Sequence, residues 1–491
     1  MLYYDKKGWV QRSRCRRRGD DHLADILRAD RVGSDMTVGP LFRKLIIFAL
    51  PIVFTQLIQQ LYNTVDLIIV GQFGGSTGTV GVATGGEFVN FLTNASNGFA
   101  MAGQVYIAQL TGAKQIRKVT ETIGTLITFM AVLSVVCAVA VIALCDPALA
   151  LLNCPPEAFS QARSYMIITA FGMPFIFLYN AVSGCLRGMG ESKKPLIFVT
   201  VAAVSNIFLD LLLVAIIPLG AAGTAIATVA AQFFSCAAAI VYMYRNRERF
   251  DFGFRAADFR IRRDVLATLL RLGIPKALKF SAINLTMIFC SSQINSYGLI
   301  ASATNSVGNK ITKFCNVLMY GIDQGVSTTI GQNLGARRPE RAKRAVYYAL
   351  AIALGLCVVN VCLCIFLPAQ VFSVFKRDPE VVAMGVRFMR LQIFTFIFSA
   401  IMGPYQAMVA GCGNANLELV IGLLDGVVLR LSISLILTHV FGMGVWGFFY
   451  GNVFARLGPV VISLIYYYSG AWQRRRLLTD PAAPPAAEEQ S

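Results

Sequence analysis

Apolar stretches of about 20 residues or more follow one another from residue 43 to residue 468, broken by short polar loops. As a helix, each can cross roughly 30 Å of hydrocarbon. A chain inside lipid must satisfy every backbone amide internally, which leaves bundled helices or a closed barrel. The runs are too long for barrel strands. Twelve spans follow, at about 43–70, 80–110, 119–145, 162–187, 195–217, 220–244, 266–296, 303–334, 343–367, 381–409, 418–440 and 443–468. Only 14% of the 491 residues are charged, against about 25% in a soluble domain. The expected fold class is an all-α integral membrane protein with twelve transmembrane helices.

The net charge of +18 could suggest a nucleic-acid partner, but the basic residues crowd alternate loops. Lys114, Arg117 and Lys118 follow the second span, and Arg187, Lys193 and Lys194 the fourth. Arg245 to Arg263 follow the sixth, and Arg337 to Arg344 the eighth. The opposite loops are nearly empty, apart from Lys376 and Arg377. By the positive-inside rule both termini are cytoplasmic, and the excess charge faces anionic lipid rather than nucleic acid. Residues 1–40, with Arg16–Arg18, have no apolar core and read as a disordered or interfacial cytoplasmic tail, not a signal peptide. Residues 471–491 end in a Pro/Ala-rich stretch and read as a disordered cytoplasmic tail. Twelve cysteines lie mostly in the spans without a CxxC pair, and the only histidines are His22 and His439. This is packing chemistry rather than a metal site.

The chain repeats. With a shift of 223–224 residues Pro51 falls on Pro275, Gly98 on Gly321, Gln109 on Gln332, Gly188 and Gly190 on Gly411 and Gly413, and Gly220 on Gly444. Each half holds six spans, an even number, so both enter the membrane from the same side. The halves are then an N-lobe (41–244) and a C-lobe (266–470), related by a pseudo-twofold axis along the membrane normal and joined by a basic interlobe loop (245–265). Two such lobes that rock about a shared site are a transporter architecture.

Polar residues form stripes at helical spacing: Gln56, Gln59, Asn63 and Asp66 in the first span, Glu87, Asn90, Asn94 and Asn97 in the second, and Asn309, Lys313, Asn316, Tyr320 and Asp323 in the eighth. Single amides serve helix–helix hydrogen bonds in membranes, whereas whole stripes fit a water-filled cavity. Asp210 lies near the middle of SNIFLDLLLVAII (205–217), four residues after Asn206 and on the same face. An acid there is costly unless it has a function or a partner on a neighbouring helix.

The stretches DMTVGPLFRKLIIFALP (35–51), YNTVDLIIVGQFGG (62–75), LRGMGESKKPL (186–196) and SNIFLDLLL (205–213), together with the duplication, resemble the bacterial multidrug and toxic compound extrusion (MATE) transporters over residues 36–470. The resemblance implies an antiporter, not an enzyme, that exports organic compounds in exchange for Na⁺ or H⁺. It implies no cofactor beyond that ion. Its partners would be a small organic substrate, a monovalent cation or proton, and membrane lipid, with the protein a monomer in the bacterial inner membrane. It further implies a cation-coupling set of Asp66, Asn180, Asn206, Asp210 and Thr228, with Na⁺ held at Asp66, Asn206 and Asp210, and a helix bend at Pro51. Asp66, Asp210 and Thr228 count into the outer halves of their spans, Asn180 nearer an inner end. Two close carboxyls would titrate as a unit and suit a proton or a hard cation.

The chain departs from relatives that carry acids on the seventh and tenth spans. It has Lys276 and Lys279 on the seventh, Arg387 and Arg390 on the tenth, Lys310 and Lys313 on the eighth, and Arg430 on the eleventh, where the repeat places it over Asn206. This puts the coupling ion in the N-lobe alone and leaves a cationic C-lobe cavity. Lys310 superposes on Glu87 at a shift of 223, so the two could pair as an outer gate, or each could serve its own lobe. A lipid-linked precursor flippase of the same wider superfamily is the alternative function, its pyrophosphate head suited to the cationic lobe. Such flippases often have fourteen spans. Neither HExxH nor GxxxxGK[ST] occurs, and the one GxSxG match, GGSTG (74–78), stands in a chain with only two histidines, which argues against an embedded hydrolase or an ATPase.

Overall fold

The computed structural model describes residues 33–480. Arg16–Arg18, His22 and residues 481–491 lie outside the described residues. Twelve long helices run through the rest: α1 (Leu41–Phe73), α2 (Gly75–Gly112), α3 (Ile116–Ala143), α4 (Pro156–Gly188), α5 (Lys193–Ile216), α6 (Gly220–Arg245), α7 (Arg263–Asn295), α8 (Leu299–Gly335), α9 (Pro339–Phe366), α10 (Pro379–Gly411), α11 (Ala415–Val440) and α12 (Val445–Tyr468). No strand occurs among the described residues. Nine of the twelve are long and apolar enough to cross a membrane by themselves. The other three, α2, α7 and α8, turn polar faces toward partner helices and cavities, which dilutes their hydropathy.

The two halves repeat in backbone geometry as well as in sequence. Left-handed residues recur in register: Lys114 and Arg337 both at φ 57°, Gly190 and Gly413 at 89° and 71°, Gly220 and Gly444 both at 57°. Widened π-helical turns close α5 at Leu211–Ile216 and α11 at Ile436–Val440, with a further one at Leu424–Leu429. Pro51 and Pro275 sit inside unbroken helices, and the Thr55 hydroxyl donates to the Pro51 carbonyl at 2.8 Å.

The lobes meet along α1 and α2 on one side and α7 and α8 on the other. Small residues let these helices approach closely. Gly98 lies against the backbone of Lys276 and Ala277, and its repeat partner Gly321 lies against Val53. Nearer the basic loops the contacts become reciprocal: Gly112 packs on the Gln332 backbone and Gly335 on the Gln109 backbone. Gln109 Nε2 donates to the Gly411 carbonyl at 2.8 Å, and Gln332 Nε2 donates to the Gly188 carbonyl at 3.1 Å. An apolar cluster drawn from both lobes, with Leu45, Val53, Val326 and Ile330, seals the same region. The molecule is therefore closed on the side of the basic loops. On the opposite side Glu87 and Lys310 are exposed and form no ion pair with each other among the described residues. The cleft opens on the side away from the basic loops.

Both terminal segments pack onto the helices where disorder was expected. Residues 33–40 are not a loose extension of the N-terminus. The Met36 amide donates to Gln332 Oε1 at 3.0 Å, and Arg338 and Arg341 grip the carbonyls of Met36 to Gly39. The disordered tail expected from 471 is ordered through 480. Trp472 is buried, the Leu478 amide donates to Gln109 Oε1 at 3.0 Å, and Arg337 pairs with Asp480. The Pro/Ala composition that suggested disorder belongs to residues after 480, whereas 471–480 carry the aromatic and basic anchors. The interlobe loop is also packed, with Phe250 and Phe252 buried and Thr128 donating to the Phe259 carbonyl at 2.7 Å.

Candidate functional site

A cavity of about 430 Å³ opens into the N-lobe, lined by the α1 stripe, by Asn90, Asn94 and Asn97 of α2 and by residues of α4 and α6, with Phe280, Tyr320 and Gln324 facing it from the C-lobe. Asp66, in the outer half of α1, stands half-buried on its wall. Behind it lie Asp210 and Asn206 of α5, both fully buried, and the carboxyl of Asp66 stands beside each of them. Asp210 is the last residue before the π-helical turns of α5, a backbone feature common at functional positions. Thr228 of α6 faces the same cavity.

Polar atoms converge here without partners. Oδ1 of Asp66, both oxygens of Asp210, both amide atoms of Asn206 and Oγ1 of Thr228 are buried and make no hydrogen bond among the described residues. Buried polar groups are almost always satisfied, so this concentration of orphans marks a place built for something other than packing. Two adjacent carboxylates cannot bond to each other unless one holds a proton. A proton shared by the pair, or a hard monovalent cation among carboxyl, amide and hydroxyl oxygens, would satisfy them. The donor set fits Na⁺ or H⁺ and does not choose between them.

Asn180 does not belong with the others. It lines the same cavity, but its amide donates to Ser96 Oγ at 3.1 Å. It lies fifteen residues along α4 from Tyr165, or about 22 Å of helix, and Tyr165 is the α4 residue next to both carboxyls. Its place near the inner end of α4 is the physical reason it is out of reach. The tyrosines were the missed residues. Tyr62, one helical turn before Asp66, lies near Asp66, Tyr165 and Gln232. Its i, i+4 spacing to Asp66 was a usable sign; Tyr165 had none beyond its place in the repeat.

The C-lobe differs in sign. A cavity of about 340 Å³ there is lined by Lys313, Arg430 and Arg456. Arg430 is buried, with Nη2 3.3 Å from Asp425 Oδ1. Lys310 is exposed and does not line this cavity. Between the lobes a smaller cavity of about 110 Å³ brings together Lys276, Lys279, Glu418, Tyr320 and Asp323. Lys276, on an expected span (266–296) without an acid, is buried in an ion pair with Glu418 from the start of α11. Asp323 forms no ion pair among the described residues.

Two repeated six-helix lobes, closed on the side of the basic loops around a cavity with a carboxyl pair in its wall, define a two-lobed membrane transporter. The profile of the MatE family matches residues 51–212 and again 275–436, the same spacing that relates Pro51 to Pro275. The chain belongs to the multidrug and toxic compound extrusion family. It is similar to the probable multidrug resistance protein YoeA of Bacillus subtilis, at 24% identity over 87% of this chain and 92% of that protein. It is also similar to the multidrug export protein MepA of Staphylococcus aureus, at 21% identity over 86% and 93%. Among solved structures, a MATE transporter in complex with MaD3S superposes with a TM-score of 0.84 at 19% identity, covering 90% of this chain and 99% of that one. The outward-facing conformation of a multidrug resistance MATE transporter superposes with a TM-score of 0.83 at 20% identity, with the same coverage.

Proposed function

We propose that the protein is a secondary-active antiporter of the bacterial inner membrane, exporting small organic compounds in exchange for inward-moving Na⁺ or H⁺. The observation that carries this reading is Asp210, fully buried with both carboxyl oxygens unpartnered, beside an Asp66 that reaches the outward cavity. With the cleft open outward, a cation reaches Asp66 from outside and compensates one negative charge of the pair. Closing the outer side and opening the inner seam then exposes the loaded site to the cytoplasm, where the ion leaves and substrate enters. A bound ion acts by its differential affinity for the two states. No nucleotide-binding loop occurs in the sequence, so an ion gradient is the available drive. The protein works as a monomer, with both termini cytoplasmic. Twelve helices and the family match favour export over lipid-precursor flipping.

The test is transport in proteoliposomes, with a Na⁺ gradient and a pH gradient imposed separately and a fluorescent dye as cargo. One gradient should drive export, and Asp66→Asn or Asp210→Asn should abolish it while the purified protein keeps its size-exclusion profile. Full export by both variants would refute the coupling role of the pair.

A further inference from the structure

We propose that the C-lobe cavity is an anion site that holds the acidic oxygens, carboxylate or phosphate ester, of an amphiphilic transported compound. Calling that compound a substrate rests on the exporter reading above; the binding itself does not.

Charge is the first ground. The cavity places Lys313 of α8, Arg430 of α11 and Arg456 of α12 around one space. The acid facing Arg430 is Asp425, and the charged groups near Arg456 are Asp425 and Arg430. Three cations with one carboxylate leave an excess of two positive charges, and Arg430 and Arg456 carry theirs in buried and half-buried positions, where an uncompensated ion is expensive.

The repeat is the second ground. Under the 223–224 shift Lys313 superposes on Asn90, Arg430 on Asn206 and Arg456 on Gln232. At all three positions the C-lobe carries a cation where the N-lobe carries an amide. An amide at each position is thus compatible with the architecture, and the positive charge is a property of this site rather than a requirement of the fold. The same superposition sets a carboxyl pair in one lobe against a cationic pocket in the other.

The third ground is hydrogen bonding and shape. Arg456 Nε is buried without a hydrogen-bond partner among the described residues, although Nη1 of the same group donates to Ser399 Oγ. Guanidinium groups match carboxylate and phosphate oxygens two bonds at a time. The amides of Asn316 and Gln392 lie on the same wall, and Met287, Val317 and Phe388 supply an apolar side. At about 340 Å³ the space lies within the roughly 300–1,000 Å³ of small-molecule sites. Cationic, amide and apolar walls together select an organic oxyanion over a bare inorganic ion.

The experiment uses the full chain in nanodiscs of neutral phosphatidylcholine, with fluorescence anisotropy as readout and no gradient. Fluorescein and rhodamine 6G share a ring system and differ in charge. Fluorescein should bind, and Lys313→Gln and Arg456→Gln should each weaken it about tenfold, the loss expected for one hydrogen bond to a charged group, with rhodamine 6G unaffected. Lys313 is exposed and outside any ion pair among the described residues, so its variant keeps the test open should Arg456→Gln misfold. 1-Naphthyl phosphate and lysophosphatidic acid should displace fluorescein, and 1-naphthylmethylamine should not. Stronger displacement by the lysolipid would mark a lipid headgroup as the source of the oxyanion, and stronger displacement by the naphthyl ester a soluble compound. Absence of fluorescein binding, or unchanged binding in the Lys313→Gln variant and the double variant, would overturn the proposal. A protein that binds fluorescein at this site but exports no dye would instead overturn the exporter reading and leave the site standing.

Discussion

Removing the two glutamines of the inner seam should move the protein toward its inward-open state. Gln332 donates to the Gly188 carbonyl at 3.1 Å and accepts from the Met36 amide at 3.0 Å. Gln109 donates to the Gly411 carbonyl at 2.8 Å and accepts from the Leu478 amide at 3.0 Å. Each bond ties one lobe to the other, or to the terminal segment attached to the other, so none survives separation of the inner ends. At about 1 kcal/mol net for a protein hydrogen bond, each glutamine favours the closed seam by about 2 kcal/mol, and both together by about 4 kcal/mol. A factor of ten in population corresponds to about 1.4 kcal/mol. Gln332→Ala should therefore shift the ratio of states about 30-fold, and the double alanine variant several hundredfold. Both glutamine side chains are buried at the seam, so water entering after substitution would reduce the effect rather than reverse it. Pulsed electron paramagnetic resonance can read the shift with spin labels on p-acetylphenylalanine placed at Arg117 and Arg344, which leaves the twelve cysteines untouched. The native protein should give one short inter-lobe distance, and the variants a second, longer population. An unchanged distance distribution in the double variant would refute the seam as an energetic lock.

Three further outcomes can be checked. If Glu87 and Lys310 pair when the outer side closes, Glu87→Lys and Lys310→Glu should each impair transport and the double reversal should recover much of it; a double variant as poor as the worse single variant would end that idea. A cysteine replacing Arg255 in the interlobe loop should resist an impermeant maleimide added to intact cells, and labelling from outside would reject the topology. At Asp35, burial pushes the carboxyl up, but hydrogen bonds from Thr37, helped by Lys44, outweigh it and hold the group below its ordinary value of 3.8. A lowered carboxyl stabilises the docked 33–40 segment fully above its unfolded value and loses that contribution as pH falls through the folded one. Protease protection of the segment should thus be flat between about pH 5 and 8, and Asp35→Asn should reduce it at pH 7; protection that varies across that range would implicate another group.

The sequence by itself determined the class, the helical spans and the repeat, because these are one-dimensional properties. Span length follows from bilayer thickness, and the repeat from glycines and prolines at a constant spacing, while loop charge gives an expected orientation. The Asp210–Asn206 face was legible because i, i+4 neighbours share a face in any helix. The contribution of Asp66 came only through resemblance, since nothing in a single chain says which helices become neighbours. Tertiary packing decided what lies between helices. It placed Asn180 away from the carboxyl pair and brought Tyr165 to it. It gave Lys276 its acid from Glu418, 142 residues away, and folded residues 33–40 and 471–480 onto the seam. It also decided which side of the molecule is closed. Both states of an alternating-access protein share one sequence, one set of helices and one pattern of apolar faces. They differ by a few inter-lobe contacts of about 1 kcal/mol each, and only the assembled structure shows on which side those contacts are made.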